Sequence, residues 1–325
     1  MQIESASLSF KNPSHWRRTR WLLLVILAIL PRLAHAQGGP PFLTDDPETP
    51  GNQHWEINYG FIGDRNPGQG AYQVPDFDLN YGLGDRIQLK YELPIAIAET
   101  RTSTPTPATI APPNSIATGL GESLLGVKWR FYEHHPHDPY LHNRFGTGLS
   151  KVFGHPSEER APAGGEEPRV DFSLGTYPQL SLNNPTHSVA RGVVDPGPNF
   201  FLPIEVNSRL GPLRMDAEVG YNFGNRNLQQ GWSRGLLVGH EFSDSTEAYL
   251  ELHDDQDATR LDGQPKQRET TLGLGGRQTL NRRKTLVLLL MGGRSFQTIT
   301  TQNSQPSWVA YVGLQMLLGP HDHQP

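Results

Sequence analysis

Residues 76–93 read DFDLNYGLGDRIQLKYEL and contain two alternating segments around a tight turn. Apolar side chains occupy every second position before the turn (Phe77, Leu79, Tyr81) and after it (Ile87, Leu89, Tyr91, Leu93). Gly84-Asp85 supplies the turn between them. A period of two is typical of a β-strand with one apolar and one polar face. The stretch therefore predicts an antiparallel hairpin.

The same alternation recurs along most of the chain. It predicts twelve strands, at 53–63, 72–83, 86–96, 120–132, 170–182, 199–210, 213–224, 231–243, 246–254, 268–280, 285–296 and 307–318. No long segment carries an apolar stripe at helical spacing, so helices are expected to be minor. The predicted fold class is all-β.

Strand lengths and connections favour a membrane barrel over a soluble β-sandwich. Short turns alternate with longer links, which we place at 64–71, 97–118, 183–198, 254–267 and 297–306. Several strands have ten or more residues, close to the 9–11 that a tilted membrane strand needs. Aromatic residues near strand ends resemble an interfacial girdle. We predict an antiparallel up-and-down transmembrane β-barrel.

An even strand count puts both ends of the barrel on one side, expected to be the periplasmic side. With twelve strands, residues 133–169 form one long periplasmic insertion and every short turn is also periplasmic. An apolar patch at 145–153 offers a further strand, so fourteen strands are the alternative. Residues 319–325 form a tail.

The N-terminus has the pattern of a secretory signal peptide. Residues 16–20 read WRRTR and precede the apolar run WLLLVILAIL, which Pro31 ends. Small residues at positions 34 and 36 predict cleavage after Ala36. Residues 1–36 are therefore expected to be removed on export to the outer membrane. Residues 37–52 then form a periplasmic N-terminal segment, and the sequence does not determine whether it enters the barrel.

Composition excludes several classes of protein. Hydrophobic residues make up 35% of 325, so a polytopic helical membrane protein is excluded. The absence of cysteine excludes disulfides, cysteine-ligated metals and thiol nucleophiles. Removal of residues 1–36 takes away five basic residues and one acidic residue, leaving 23 and 32, a net charge of −9. This acidity argues against nucleic acid as a partner.

Short motifs along the chain resemble a known family. They are PPFLTDDPETP at 40–50, LGVKWRF at 125–131, FLPI at 201–204, EVGY at 218–221, GHEF at 239–242, LGLGG at 272–276 and GRSF at 293–296. Together they resemble the outer-membrane barrels described as meta-pathway phenol-degradation or transporter proteins. The resemblance implies transport of small compounds, aromatic ones among them, and carries no catalytic residues. The insertion 133–169 and the non-aromatic end of the last strand depart from the family pattern.

Other clusters carry little evidence of chemistry. Histidines 134, 135, 137 and 142, and 321 and 323, form two tracts that nothing fixes as metal sites. Asp254, Asp255 and Asp257, placed in an external loop, lack the glycine and glutamate of a calcium loop. His187-Ser188 lies in a predicted loop, away from the strand positions that barrel hydrolases use. We predict no enzyme activity, no cofactor and no metal.

The polar faces of the strands supply the candidate functional residues. An ionised side chain at the bilayer midplane costs about 2–4 kcal/mol on the lipid face, so charged strand residues are expected to face the lumen. The predicted acids are Glu56, Asp76, Asp78, Glu92, Glu122, Glu205, Asp216, Glu218, Glu241, Glu247 and Glu251. The predicted bases are Lys90, Lys128, Arg130, Arg209, Arg214 and Arg277.

The excess of acids predicts a weakly cation-preferring pore for passive passage of small molecules. A non-conducting structural barrel is the alternative, and a barrel lipid hydrolase or a secreted β-sandwich is less favoured. An open lumen would favour the pore and a plugged one the structural barrel. The expected partners are outer-membrane lipid and small solutes, and the oligomeric state stays open.

Overall fold

The computed structural model describes residues 41–66, 68–101, 114–134, 170–210, 212–224, 230–243, 245–257, 267–299 and 303–319. Strands account for most of them. They are β1 (Trp55–Arg65), β2 (Gln69–Gly82), β3 (Ile87–Arg101), β4 (Asn114–Leu120), β5 (Glu122–His134), β6 (Val170–Thr176), β7 (Gln179–Asn183), β8 (Asn199–Leu210), β9 (Leu213–Phe223), β10 (Gln230–Ser243), β11 (Thr246–Asp257), β12 (Gln267–Thr279), β13 (Leu286–Ile299) and β14 (Asn303–Leu318). No helix among the described residues is long and apolar enough to cross a membrane.

The strands form one closed antiparallel sheet. β1 pairs with β2 on one side and with β14 on the other, which closes the barrel. β4 and β5 are separated only by Gly121 and both pair with β3. β6 and β7 flank Tyr177-Pro178 and both pair with β5 and β8. Since each of these two pairs is one interrupted strand, the barrel has twelve strands, and the prediction of an all-β twelve-stranded barrel is confirmed.

Several strands extend further than the sequence indicated. β2 begins at residue 69, β3 continues to 101 and β4 begins at 114, so the predicted links 64–71 and 97–118 were too long. β11 likewise continues to 257, and β13 and β14 together leave only 300–302 between them. The ends of these strands are rich in Gln, Thr, Ser and charged residues. Because both faces are polar there, the alternation of apolar and polar residues that identifies a strand is absent. Ladder hydrogen bonds nevertheless continue there.

The barrel is apolar outside and polar inside. The exposed side chains include 38 large hydrophobic residues, most of them on the strands. The buried side chains include many charged and amide groups, among them Asp78, Glu205, Asp216 and Glu251 at 1% exposure or less. A soluble protein does not expose an apolar surface of this extent. This distribution of polarity is typical of transmembrane β-barrels.

The two ends of the barrel differ. Trp55 and Leu318 are paired neighbours, so both ends of the barrel lie at one rim, which we call the terminal rim. The strand pairs β2 and β3, β8 and β9, β10 and β11, and β12 and β13 each follow one another along the chain at the same rim. β5 ends and β6 begins at this rim, with Glu133 and His134 still in β5. The remainder of the predicted insertion, 135–169, lies outside the described residues. The opposite end is the distal rim.

Residues 41–50 lie inside the barrel and form no strand. We call them the luminal segment. Three of its ten residues are prolines, which cannot donate ladder hydrogen bonds and therefore keep it out of the sheet. Near the terminal rim, Thr49 Oγ1 donates to the carbonyl oxygen of Asp85 at 2.9 Å, and Gln53 N donates to that of Gly82 at 2.9 Å. The chain thus turns from β1 back into the lumen.

Candidate functional site: the lumen and its segment

Consecutive acids of the luminal segment bind Lys128 on the barrel wall. Lys128, on β5, points inward with its side chain 4% exposed. Its Nζ lies 2.7 Å from Asp45 Oδ1 and 2.5 Å from the carbonyl oxygen of Asp46. The same Nζ lies 4.7 Å from the ring centre of Tyr177, which is 1% exposed. Lys128 is therefore enclosed between the segment and the wall.

Two arginines on nearby strands, β8 and β9, also bind the segment. Arg214, on β9, forms an ion pair with the Asp46 carboxylate and lies 3.7 Å from Glu48. Arg209, on β8, lies 3.1 Å from Glu48 and 2.9 Å from Glu241. Three segment acids are thus matched by three wall cations. These ion pairs hold the segment across the lumen.

The tip of the segment is anchored by an aromatic contact. Phe42 is 4% exposed and its ring centre lies 5.2 Å from that of Tyr249, in an edge-to-face arrangement. It belongs to a buried apolar cluster on the inner wall, with Ile62, Leu237, Tyr249, Val287, Leu289, Met291, Val309 and Tyr311. Its wall residues come from β1, β10, β11, β13 and β14, so an apolar surface lies on one side of an otherwise polar lumen. Phe42 fills this cluster.

Two glycines on the wall allow the segment to lie close to it. A Cβ added at Gly175, on β6, would lie 2.7 Å from the Cβ of Pro47. A Cβ added at Gly235, on β10, would collide with the side chain of Thr44. Beside Gly235, Thr44 N donates to Glu251 Oε1 at 2.6 Å. The wall and the segment are therefore complementary in shape as well as in charge.

The wall carries its own ion pairs around Lys90. Lys90 Nζ lies 3.3 Å from Asp78 and 3.0 Å from Glu92. Asn58 donates to Asp78 and to Glu56, each at 3.1 Å. These groups come from β1, β2 and β3, where inward positions face one another across the ladder. They form a continuous polar wall beside the segment.

Some buried acids lack hydrogen-bond partners. Both carboxylate oxygens of Glu205 and one each of Asp76, Glu218 and Glu251 have none among the described residues. A buried carboxylate needs water, a cation or a proton to offset its desolvation. This part of the lumen therefore attracts positive charge.

A small cavity separates the luminal segment from the wall. Its volume is about 120 Å³, and Asp45, Asp46, Lys90, Lys128 and Arg214 are among the residues that line it. Pockets that hold small molecules measure about 300–1,000 Å³. With the segment in place, this cavity accommodates water and small ions only.

The structure brings the sequence-predicted charged residues together inside the barrel. All seventeen lie on inward positions: Glu56, Asp76, Asp78, Lys90, Glu92, Glu122, Lys128, Arg130, Glu205, Arg209, Arg214, Asp216, Glu218, Glu241, Glu247, Glu251 and Arg277. Sequence reasoning missed the residues of the segment, because a proline-rich stretch without alternation gives no sign of which side chains are buried. It also missed Tyr249 and Leu289, which are apolar and yet face inward.

The weaker candidates do not assemble into sites. Asp254 to Asp257 belong to β11, so their placement in a loop was wrong; Asp254 faces outward and Asp255 inward. Ser188 Oγ pairs with Thr186 Oγ1 at 2.9 Å, in the segment between β7 and β8. Among the described residues, no group of three or more potential ligands could hold a metal ion. The other predicted histidines, 135, 137, 142, 321 and 323, lie outside that part of the chain.

Asp46 gives a prediction about pH. Burial alone would raise its pKa, but the charges of Arg214 and Lys128 hold the pKa of this carboxyl well below its usual range. A carboxyl with a lowered pKa stabilises the fold above its unfolded-state pKa, and that contribution is lost only as pH falls through the folded value. We expect the stability difference between wild type and Asp46→Asn to stay constant from about pH 8 to 5 and to shrink below about pH 4. Urea unfolding at each pH measures it, and a difference that already falls between pH 7 and 5 would contradict this account.

Comparison with known proteins places the chain by its fold. No protein-family model matches the sequence, and no curated protein matches it. An outer membrane channel from Pseudomonas putida F1 has a similar structure, with a TM-score of 0.54 and 11% sequence identity over 84% of this chain and 98% of that one. The KdgM porin is more distant, with a TM-score of 0.43 and 7% identity over 80% and 98%. The chain has the fold of an outer-membrane β-barrel.

Proposed function

We propose that the protein is an outer-membrane channel for small molecules, closed in this structure by the luminal segment. The observation that carries the proposal is the way the segment is held. It occupies a polar lumen through side-chain ion pairs and one aromatic contact, without being a strand of the sheet. Such contacts can be exchanged for water or solute, whereas a ladder of backbone hydrogen bonds cannot be exchanged one contact at a time.

The size of the barrel supports a passage once the segment moves. Twelve strands at about 4.8 Å spacing and a tilt of about 40° give a backbone radius of roughly 12 Å. Barrels of eight strands are filled by their own side chains, and those of sixteen or more leave a wide channel. A twelve-stranded barrel lies between these cases. One extended segment is enough to close it.

We further propose that the solutes include small aromatic compounds. Support comes from the apolar cluster that Phe42 fills, in which Tyr249 and Tyr311 contribute aromatic rings. When the segment withdraws, this cluster lines one side of an otherwise charged passage. A planar apolar solute would replace the ring of Phe42 there. The motif resemblance to phenol-degradation barrels points to the same class of solute.

We place the terminal rim on the periplasmic side. The predicted signal peptide exports the chain, and the short turns at this rim are typical of the periplasmic ends of such barrels. The luminal segment then enters the barrel from the periplasm. Its displacement would therefore be controlled from that side or by solute in the lumen.

A non-conducting structural barrel is the second candidate. The observation in its favour is the filled lumen, in which Lys128, Arg214 and their partners are buried together. Under this hypothesis the ion pairs only stabilise the wall, and the segment never leaves. The two candidates differ in whether purified protein conducts ions.

Planar-bilayer recording distinguishes them. We expect wild-type protein to show small conductance steps with a weak preference for cations, because inward acids outnumber inward bases. The reversal potential under a salt gradient gives the sign, and the preference should weaken at high salt as the charges are screened. An anion-selective potential would contradict the charge argument. A complete absence of conductance in wild type and in variants lacking the segment would establish the structural barrel.

A further inference from the structure

Among the described side chains, four arginines lie on the outward, apolar face of the barrel. They are Arg65 of β1, Arg234 of β10, Arg268 of β12 and Arg294 of β13. Their neighbours across the ladder are themselves outward-facing, for example Trp308 beside both Arg65 and Arg294. Two acids of the described strands face outward, Glu99 and Asp254. The outward charge of these strands is therefore positive.

All four arginines lie in the distal half of their strands. Arg65 is the last residue of β1, and Arg268 is the second of β12. Arg234 is the fifth residue of β10, and Arg294 is the sixth from the end of β13. Within the described strands, the terminal half carries no outward lysine or arginine. The outward charge thus forms a belt near one rim, which we call the arginine belt.

The register brings the arginine belt together over six consecutive strands. Arg65 and Arg294 flank Trp308 on β14, so they stand two strands apart, about 10 Å at the usual spacing. Arg234 and Arg268 flank Asp254 on β11. Each pair is thus spaced so that one compact anionic group can reach both guanidinium groups.

Asp254 holds two of the guanidinium groups in place. Its Oδ1 accepts from Arg268 Nε at 2.6 Å and from Thr270 Oγ1 at 2.9 Å. Its Oδ2 lies 3.6 Å from Arg234. Asp254 is only 8% exposed, whereas the side chains of Arg268 and Arg234 are 57% and 47% exposed. One carboxylate therefore orients two cations and leaves a net positive charge facing outward.

Arg294 is held in a different way. Its guanidinium carbon lies 4.2 Å from the ring centre of Trp308 and 6.0 Å from that of Phe296. Its Nε has no hydrogen-bond partner among the described residues. Stacking on an aromatic ring fixes the plane of the guanidinium group, and the buried Nε is left without a partner in the described part of the protein.

We propose that the arginine belt binds phosphate-bearing lipid headgroups of the leaflet at the distal rim. Guanidinium groups pair with phosphate through two parallel hydrogen bonds. Tryptophan at the same level marks the depth of the headgroups in a bilayer. The ligand chemistry is an anionic phosphate attached to acyl chains, because the surface that surrounds the belt is apolar. The acyl chains would lie on Leu236, Leu252 and Leu272, which are 41–50% exposed.

Native mass spectrometry of the full chain tests the proposal. The protein, in non-ionic detergent, is mixed with equal amounts of phosphatidic acid and phosphatidylcholine that carry the same acyl chains. Each arginine near a membrane surface contributes about fivefold to the binding of an anionic lipid. We expect wild type to retain phosphatidic acid preferentially, and Arg268→Gln/Arg294→Gln to lose at least about fivefold of that preference. The matched control, Arg282→Gln/Arg283→Gln, removes the same charge at the terminal rim and should keep it.

Three results of this comparison would overturn the proposal, and a competition with inorganic phosphate gives a fourth. The three are equal retention of both lipids by wild type, an unchanged preference in the belt variant, and an equal loss in the control. Excess inorganic phosphate separates the two sources of phosphate: if it displaces the lipid, the belt is a site for free phosphate and the lipid assignment is wrong. Heat-modifiable gel migration verifies that each variant is folded. If the belt variant fails to fold, two measurements on wild type still test the proposal: its preference for phosphatidic acid and the resistance of that preference to inorganic phosphate.

Discussion

Deleting residues 41–48 should open the lumen and raise conductance in planar bilayers by about tenfold. The deletion removes Phe42 from its apolar cluster and Asp45, Asp46 and Glu48 from the wall cations. None of these residues contributes a strand, so the barrel itself should still assemble. The same deletion takes away three acids, and the cation preference should fall with them.

The control for this deletion is removal of residues 320–325, which also shortens the chain at an end of the barrel. It should leave conductance at the wild-type level. Heat-modifiable migration of both proteins establishes that they are folded. A deletion that leaves conductance unchanged in a folded barrel would show that the segment is not what closes the lumen.

Lys128→Met should destabilise the barrel by about 3–5 kcal/mol, the usual cost of removing one partner from a buried ion pair. Lys128 lies within 2.7 Å of Asp45, and its charge also acts on the buried Glu205. Methionine preserves the length of the side chain and removes the charge. Both buried carboxylates then lose the cation that is paired with Asp45 and acts on Glu205. Urea unfolding followed by tryptophan fluorescence measures the loss.

Arg283→Met is the matched control, because it makes a similar change at an exposed position of the turn between β12 and β13. Its effect should stay within about 0.5 kcal/mol of zero. The Lys128 variant should regain part of its stability when Asp45→Asn is added, since the unpaired acid is then neutral. Equal stability of the Lys128 variant and wild type would show that the pair is solvated and weak.

The barrel could be predicted from sequence because its alternation is regular. The strand residues within 76–93 have every charged group on one face, and the structure keeps that assignment in β2 and β3. The two interrupted strands were harder to delimit, since Gly121 and Pro178 break the pairing without ending the strand. The count of twelve was still correct.

The closed lumen could not be predicted, for physical reasons that particular residues show. The stretch 40–50 has no period, so its burial depends entirely on distant partners such as Lys128 and Arg214. β13 begins LVLLLMGG and is apolar on both faces there. Without alternating polar residues, the sequence could not show that Leu289 and Met291 face inward. Phe42 fills the cluster to which they belong. A site built from contacts far apart in the chain leaves no local pattern.

The central claim is that withdrawal of the luminal segment opens the passage, and a reversible cross-link tests it most directly. Thr44 of the segment contacts Gly235 of β10, and the chain contains no cysteine to interfere. In the double variant Thr44→Cys/Gly235→Cys the two Cβ atoms would start 2.8 Å apart, so the segment must move away from β10 by about 1 Å to reach the roughly 3.5–4.5 Å that a disulfide spans. The oxidised disulfide then ties the segment to the wall. We predict that uptake of a small neutral solute into proteoliposomes is abolished after oxidation and returns after reduction. Equal uptake by the oxidised and reduced protein, with the disulfide verified by mass spectrometry, would contradict the account.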